Sequence, residues 1–147
     1  MKRTIVMMAL AATVLWLSFI HAPAQAQGQE KFKGRLASVP VDAKTRPDVG
    51  GVGTMTAVLA GSKLTINGTF EAFVSPAREG LLMQSRVTGI RGSRVGDLTI
   101  TKTTKGTLSG TFDLTPQQVE GVRKGLLYVQ ISSDKAPDGN VWGWLLK

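Results

Sequence analysis

Side chains that could shuttle a proton near neutral pH or hold a soft metal are nearly missing from this sequence: cysteine is absent and the only histidine is His21. His21 lies in an amino-terminal segment that reads as a removable export signal, so the mature chain is left without imidazole or thiol. Ser-His-Asp and Cys-His mechanisms need an imidazole base and fall with it. No cofactor and no zinc or copper site of His/Cys ligands is expected. Ser132 and Lys135 have the Ser-x-x-Lys spacing of some serine hydrolases, but Pro137 and the flanking apolar runs put this pair in a hairpin loop, not at a helix start. A glycosidase pair would have to come from Glu71, Glu79, Asp97 and Asp113, on which the sequence imposes no common geometry. Asp134, Asp138 and Asn140 could offer oxygens to a hard cation such as calcium, yet their spacing matches no known loop and Lys135 sits among them. Asp, Gly and Asn favour turns for backbone reasons alone, and that reading is preferred.

Binding chemistry is better represented. Trp142 and Trp144 stand two residues apart and so share one face of a terminal strand, while Val141, Gly143 and Leu145 share the other. Exposed rings would stack on a partner and buried rings would complete the core, and the core reading is preferred. Arg86, Arg91 and Arg94 lie around a Gly-rich stretch, Gly89 to Gly96, where they could grip an anionic group with help from backbone amides or simply flank a solvated hairpin end. Asn67-Gly68-Thr69 has the form of a glycosylation sequon but sits inside a strand pattern, and the bacterial look of the signal discounts it.

The elements that must position these groups are mostly strands. Phe32 to Val39, Thr54 to Leu59, Lys63 to Phe73, Leu81 to Thr88, Asp97 to Lys102, Thr107 to Leu114, Leu126 to Ser132 and Asn140 to Leu146 read as strands, separated by Gly, Pro, Asn and Asp signals. Ala60-Gly61-Ser62 is a tight hairpin, Val41 to Gly53 a long surface loop, and Asp134 to Gly139 the last turn. Met55, Ala57 and Leu59 face one way, as do Leu64, Ile66, Gly68, Phe70 and Ala72. Thr115-Pro116-Gln117-Gln118 supplies a capping box for one short helix over residues 116–124, ending near Gly125. This pattern predicts an all-β protein, an antiparallel Greek-key-like sandwich or barrel with one short helix. The string Gly-Thr-Phe-acid recurs at Gly68 to Glu71 and Gly110 to Asp113, which two equivalent strands on opposite sides of a pseudo-symmetric sandwich would explain, as would chance.

At the amino terminus Lys2 and Arg3 precede an apolar run from Ile5 to Ile20, and Ala24-Gln25-Ala26 has the small-x-small form of a signal-peptidase site. Cleavage after Ala26 leaves one domain, residues 27–147, delivered to the periplasm or the medium with no transmembrane segment. Lys2 and Arg3 leave with the signal, so sixteen basic residues face ten acidic ones and the net charge is +6. That excess suits solubility, or attraction to an anionic lipid, polysaccharide or acidic partner protein; nucleic acid is not expected in that compartment.

Leu64 to Phe70, Ser75-Pro76-Ala77, Gly110 to Thr115 and Gly125 to Ile131 resemble, in that order, the CHRD (chordin-type) domain, and Pro137 to Leu145 resembles that family's terminal hairpin. The resemblance spans about Phe32 to Leu146. It implies a secreted β-sandwich-like domain, found in antagonists of animal growth factors and as stand-alone exported bacterial proteins, with nothing obliging an enzymatic role. Members of that family carry a His-x-His string after Ser-Pro-Ala and another His after the Tyr-Val-x-Ile strand. Here Leu81-Leu82-Met83-Gln84 and Ser132 stand in those places, so whatever metal those histidines invite does not carry over. The resulting expectation is an exported, non-catalytic binding or structural module that meets an envelope protein or anionic ligand through Trp142 and Trp144, then Arg86, Arg91 and Arg94. The competing expectations are a metal-binding or carboxylate-based envelope enzyme and a weak binder of anionic membrane surface.

Overall fold

The computed structural model describes residues 28–147. The export signal read over residues 1–26, with His21, lies outside the described residues.

Eight strands form a closed antiparallel barrel: β1 (Gln29–Ser38), β2 (Val52–Ala60), β3 (Lys63–Glu71), β4 (Ala77–Gln84), β5 (Ser93–Ile100), β6 (Gly106–Asp113), β7 (Leu127–Ser133) and β8 (Val141–Trp144). Around the ring they run β1-β2-β3-β6-β5-β4-β7-β8, with β8 returning to β1. The order β3-β6-β5-β4 places β3 beside the far end of a three-strand meander, and β7 returns beside β4, so the Greek-key expectation holds. The circuit, the helix and the whole described core fall within residues 29–147.

Strand alternation sorts the side chains. Phe32, Leu36, Met55, Leu59, Leu64, Ile66, Phe70, Leu82, Leu108, Leu127, Val129, Ile131, Val141 and Leu145 fill the interior. The single α-helix, α1 (Pro116–Arg123), is capped as its sequence predicts: the Thr115 hydroxyl accepts from Gln118 N, and the Gln118 side chain accepts from Thr115 N. At its other end Gly125, with φ of +69°, lets Leu126 N reach the Gly121 carbonyl and Gly125 N the Val122 carbonyl, the two bonds of a Schellman stop.

Several boundaries differ from the sequence reading. β4 begins at Ala77, directly after Ser75-Pro76, and ends at Gln84, so Ser85 to Gly92 is loop. Pro76 only forbids pairing at its own position, and the polar Arg78 and Glu79 that disguise the strand's start are exposed side chains. Ala72 does not share the inward face of β3: its φ is +59° and it is exposed, because the chain turns there. The long loop Val41 to Gly51 contains a short 3-10 turn at Arg46–Asp48.

The two Gly-Thr-Phe strings do not lie on opposite sides. They sit on β3 and β6, which are hydrogen-bonded neighbours running antiparallel, with Gly68 opposite Leu108 and Ile66 opposite Gly110. Each inward glycine makes room for a large neighbour: a Cβ on Gly110 would meet Leu98 Cδ2 at 2.8 Å, and one on Gly68 would meet Met55 Cβ at 2.8 Å. The echo follows from complementary packing across one strand pair.

Candidate functional site

Trp142 and Trp144 stand on the outside of the barrel, half-buried, while Val141, Gly143 and Leu145 alternate with them into the interior. Both rings lean on a residue the sequence reading passed over. Tyr128 of β7 is fully buried although it alternates with the core residues Leu127 and Val129, so it is enclosed on the outer surface. Its ring lies 4.4 Å from Trp144 and 5.9 Å from Trp142, and the two indoles are 6.1 Å apart at 61°. The Tyr128 hydroxyl accepts a hydrogen bond from Gly92 N at 2.9 Å, which fastens the Ser85 to Gly92 loop over its outer edge.

Register extends this cluster into ordered rows. Trp144 pairs with Tyr128, Tyr128 with Met83, and Met83 with Arg94. On the other flank Ala37 pairs with Trp142 and Lys33 bridges Leu146, which places Arg35 beside Trp144. One row therefore reads Arg35, Trp144, Tyr128, Met83, Arg94. The next reads Ala37, Trp142, Gln130, Leu81, Asp97. Two half-buried indoles and two half-buried aliphatic side chains, bracketed by arginines, form the most aromatic part of the barrel's exterior.

The three arginines of the sequence reading are not one cradle. Arg94 lies on β5 and is paired with Asp97. Arg91 leaves the loop to donate from Nη1 to the Asp138 carbonyl, tying the loop to the last turn. Arg86 is exposed at the loop's start. The loop that holds Arg86 and Arg91 is Ser85 to Gly92, four residues earlier than the expected Gly89 to Gly96, since β5 already starts at Ser93.

The other candidate groups are dispersed. Ser132 is buried on β7, and Lys135 is exposed in the turn with its backbone N held by Ser75 Oγ at 3.0 Å. Glu71 and Asp113 sit at opposite ends of the β3–β6 pair, and Asp97 is taken by Arg94. Asn140 is committed to the fold: its amide donates to the Gly50 carbonyl at 2.8 Å and accepts from Gly50 N at 2.9 Å. Among the described residues no group of three or more His, Cys, Asp or Glu side chains is placed to hold a metal ion. A pocket of about 250 Å³ lies between the Val39 to Val49 segment and the Lys135 to Gly139 turn, with Asp48, Arg91, Lys135 and Asp138 among its lining.

Two carboxylates are shifted. Glu30 is held below its ordinary value of 4.5 by hydrogen bonds from Lys147 and then Arg123. Asp42 is held below 3.8 by the Thr45 backbone N–H and then the Thr45 hydroxyl. Both belong to structural ties, one linking β1 to α1 and the carboxyl-terminal segment, the other an Asx turn.

What sequence reasoning lacked was Tyr128 and its flank of Lys33 and Arg35. The signal was present in part: Tyr128, Gln130 and Ser132 alternate just as Trp142 and Trp144 do, and counting back through the Asp134 to Gly139 turn sets the two series side by side. Comparison with known proteins finds no matching family model, no similar curated protein and no similar solved structure.

Proposed function

We propose that this protein is an exported CHRD-type binding module without catalytic residues of its own, whose working surface is the outer face of β7 and β8. The observation that carries the proposal is the arrangement around Tyr128: a fully buried ring fixes two tryptophans that remain half-exposed on the barrel exterior. Rings needed only for the core would point inward, where β8 instead places Val141, Gly143 and Leu145. Rigid, partly exposed aromatics beside arginines are the side chains that dominate binding hot spots. The family part of the reading rests on the ordered strings of the sequence, and the exported part on residues 1–26.

Residues 28–147 retain only Trp142 and Trp144, so tryptophan emission of that segment reports on this face alone. The test captures components of the host's exported fraction on the tagged barrel and on a folded Trp142→Ala/Trp144→Ala variant, then titrates each captured component. The expected result is a component that shifts the emission of the parent and binds the variant at least about tenfold more weakly, the loss of a hot-spot contact worth ~1.4 kcal/mol or more. Equal capture by both proteins would show that the working surface is elsewhere.

A further inference from the structure

The rim of this face carries exposed apolar side chains and cations that take part in no ion pair among the described residues. Among the described residues the largest exposures of big apolar side chains are Ile90 at 59 %, Val87 at 56 % and Leu146 at 50 %, and all three border the Tyr128 cluster. The Thr88 hydroxyl donates to the Gly125 carbonyl at 3.1 Å, and Leu146 is the side chain nearest to where a Gly125 Cβ would stand. The loop tip and Leu146 therefore flank the same glycine. Gly92, at the end of that loop, bonds Tyr128, on which Trp144 packs.

Positive charge surrounds this apolar surface. Arg86 and Arg91 bracket Val87 and Ile90 in the loop, Lys33 bridges Leu146, and Arg35 stands beside Trp144. None of these four side chains takes part in an ion pair among the described residues. Of the nearby carboxylates, Asp97 is engaged by Arg94, Glu120 by Lys124, and Glu30 by Arg123 and Lys147, while the exposed Asp138, whose backbone carbonyl accepts from Arg91, is in no ion pair among the described residues.

Resting on the reading of this face as the working surface, we infer that its partner is an anionic lipid surface. Val87 and Ile90 enter among the acyl chains, the indoles of Trp142 and Trp144 lie at headgroup depth, and Lys33, Arg35, Arg86 and Arg91 meet the phosphates. The geometry favours lipid over the other anionic polymers. An acidic polysaccharide would meet the cations but gains nothing from an exposed Val and Ile at a loop tip, which acyl chains would bury. A peptide adding as a strand needs a free edge, whereas β7 lies between β4 and β8 and β8 between β7 and β1.

Sedimentation of residues 28–147 with vesicles of phosphatidylglycerol and phosphatidylcholine in equal parts, and with phosphatidylcholine alone, tests this. Binding is expected to the anionic vesicles only, weakening as salt is raised. Arg86→Ser should lower partition about fivefold, the fold-change equivalent of ~1 kcal/mol per basic residue at an anionic surface. Val87→Ser/Ile90→Ser should lower it at least as much, with the melting curve unchanged because both side chains are exposed. Brominated lipid should quench the emission of Trp142 and Trp144. Absence of binding to anionic vesicles at low salt overturns the inference, as does undiminished binding by the Val87→Ser/Ile90→Ser variant or retention on a soluble acidic polysaccharide without vesicle binding. Capture of a protein through Trp142 and Trp144 with no vesicle binding removes the lipid and leaves the face; if neither capture nor vesicle binding depends on the tryptophans, the face itself is discarded.

Discussion

Asn140 joins three distant parts of the chain through neutral groups alone. Its side chain makes two bonds to Gly50, its N–H donates to Ile131 O at 2.8 Å, and its carbonyl accepts from Val39 N at 3.1 Å, all with the residue fully buried. Replacing it with alanine leaves the Gly50 N–H and C=O without partners in a half-buried position. Asn140→Ala should therefore cost about 1–3 kcal/mol, read as a lower denaturant midpoint at unchanged slope. This pair was not legible beforehand. An asparagine after Asp138-Gly139 looks like any turn former, and its partner stands ninety positions away in a loop without periodicity. Trp142 and Trp144 were legible as neighbours on one face because a strand's period is fixed at two. Whether that face pointed in or out was not, since alternation marks two faces and the other one, Val141, Gly143 and Leu145, is apolar as well.

At the scale of elements, alternation located β2 and β3 to within two residues at either end, and the Thr115 to Gln118 box located α1, because both are local chemistry. Strand partners were not accessible in the same way. The pairing of β3 with β6 and β4 with β7 is set by how the inward side chains fill the interior together, which no single segment records. β8 illustrates the dependence. A Cβ on Gly143 would meet the Arg35 carbonyl at 2.6 Å and Leu36 Cδ2 at 3.1 Å, so only glycine allows β8 to lie this close to β1. Gly143→Ala should destabilise the protein by about 1–3 kcal/mol and disturb the neighbouring tryptophans, visible as a lower melting temperature together with a changed near-ultraviolet circular dichroism signal.

For the whole molecule, charge draws the chain's described ends together. Glu30 near the start of β1 accepts from Arg123 Nε at 2.9 Å and from Lys147 Nζ at 2.8 Å. A carboxylate whose value is lowered in the folded state stabilises the protein fully above its ordinary value of 4.5 and loses that contribution as the pH falls through the lowered value. Glu30→Gln should therefore melt slightly below the parent at neutral pH, and the two melting curves should converge once acid has protonated Glu30 in the folded parent. The ring itself is not uniformly strong. β5 meets β6 at Thr99–Ser109 and Ile100–Leu108, carried one step past the strand end by the bond from Thr101 N to the Thr107 carbonyl, whereas β1 meets β8 all the way from the Lys33–Leu146 bridge to the bond from Val39 N to the Asn140 carbonyl. The β5–β6 seam is therefore the shortest ladder of the ring. Slow amide-exchange events should then begin as a parting of β5 from β6, with Tyr128, the tryptophans, Lys33 and Arg35 staying together on the unbroken run β4-β7-β8-β1. The proposed binding face can thus keep its shape through openings that briefly expose the core.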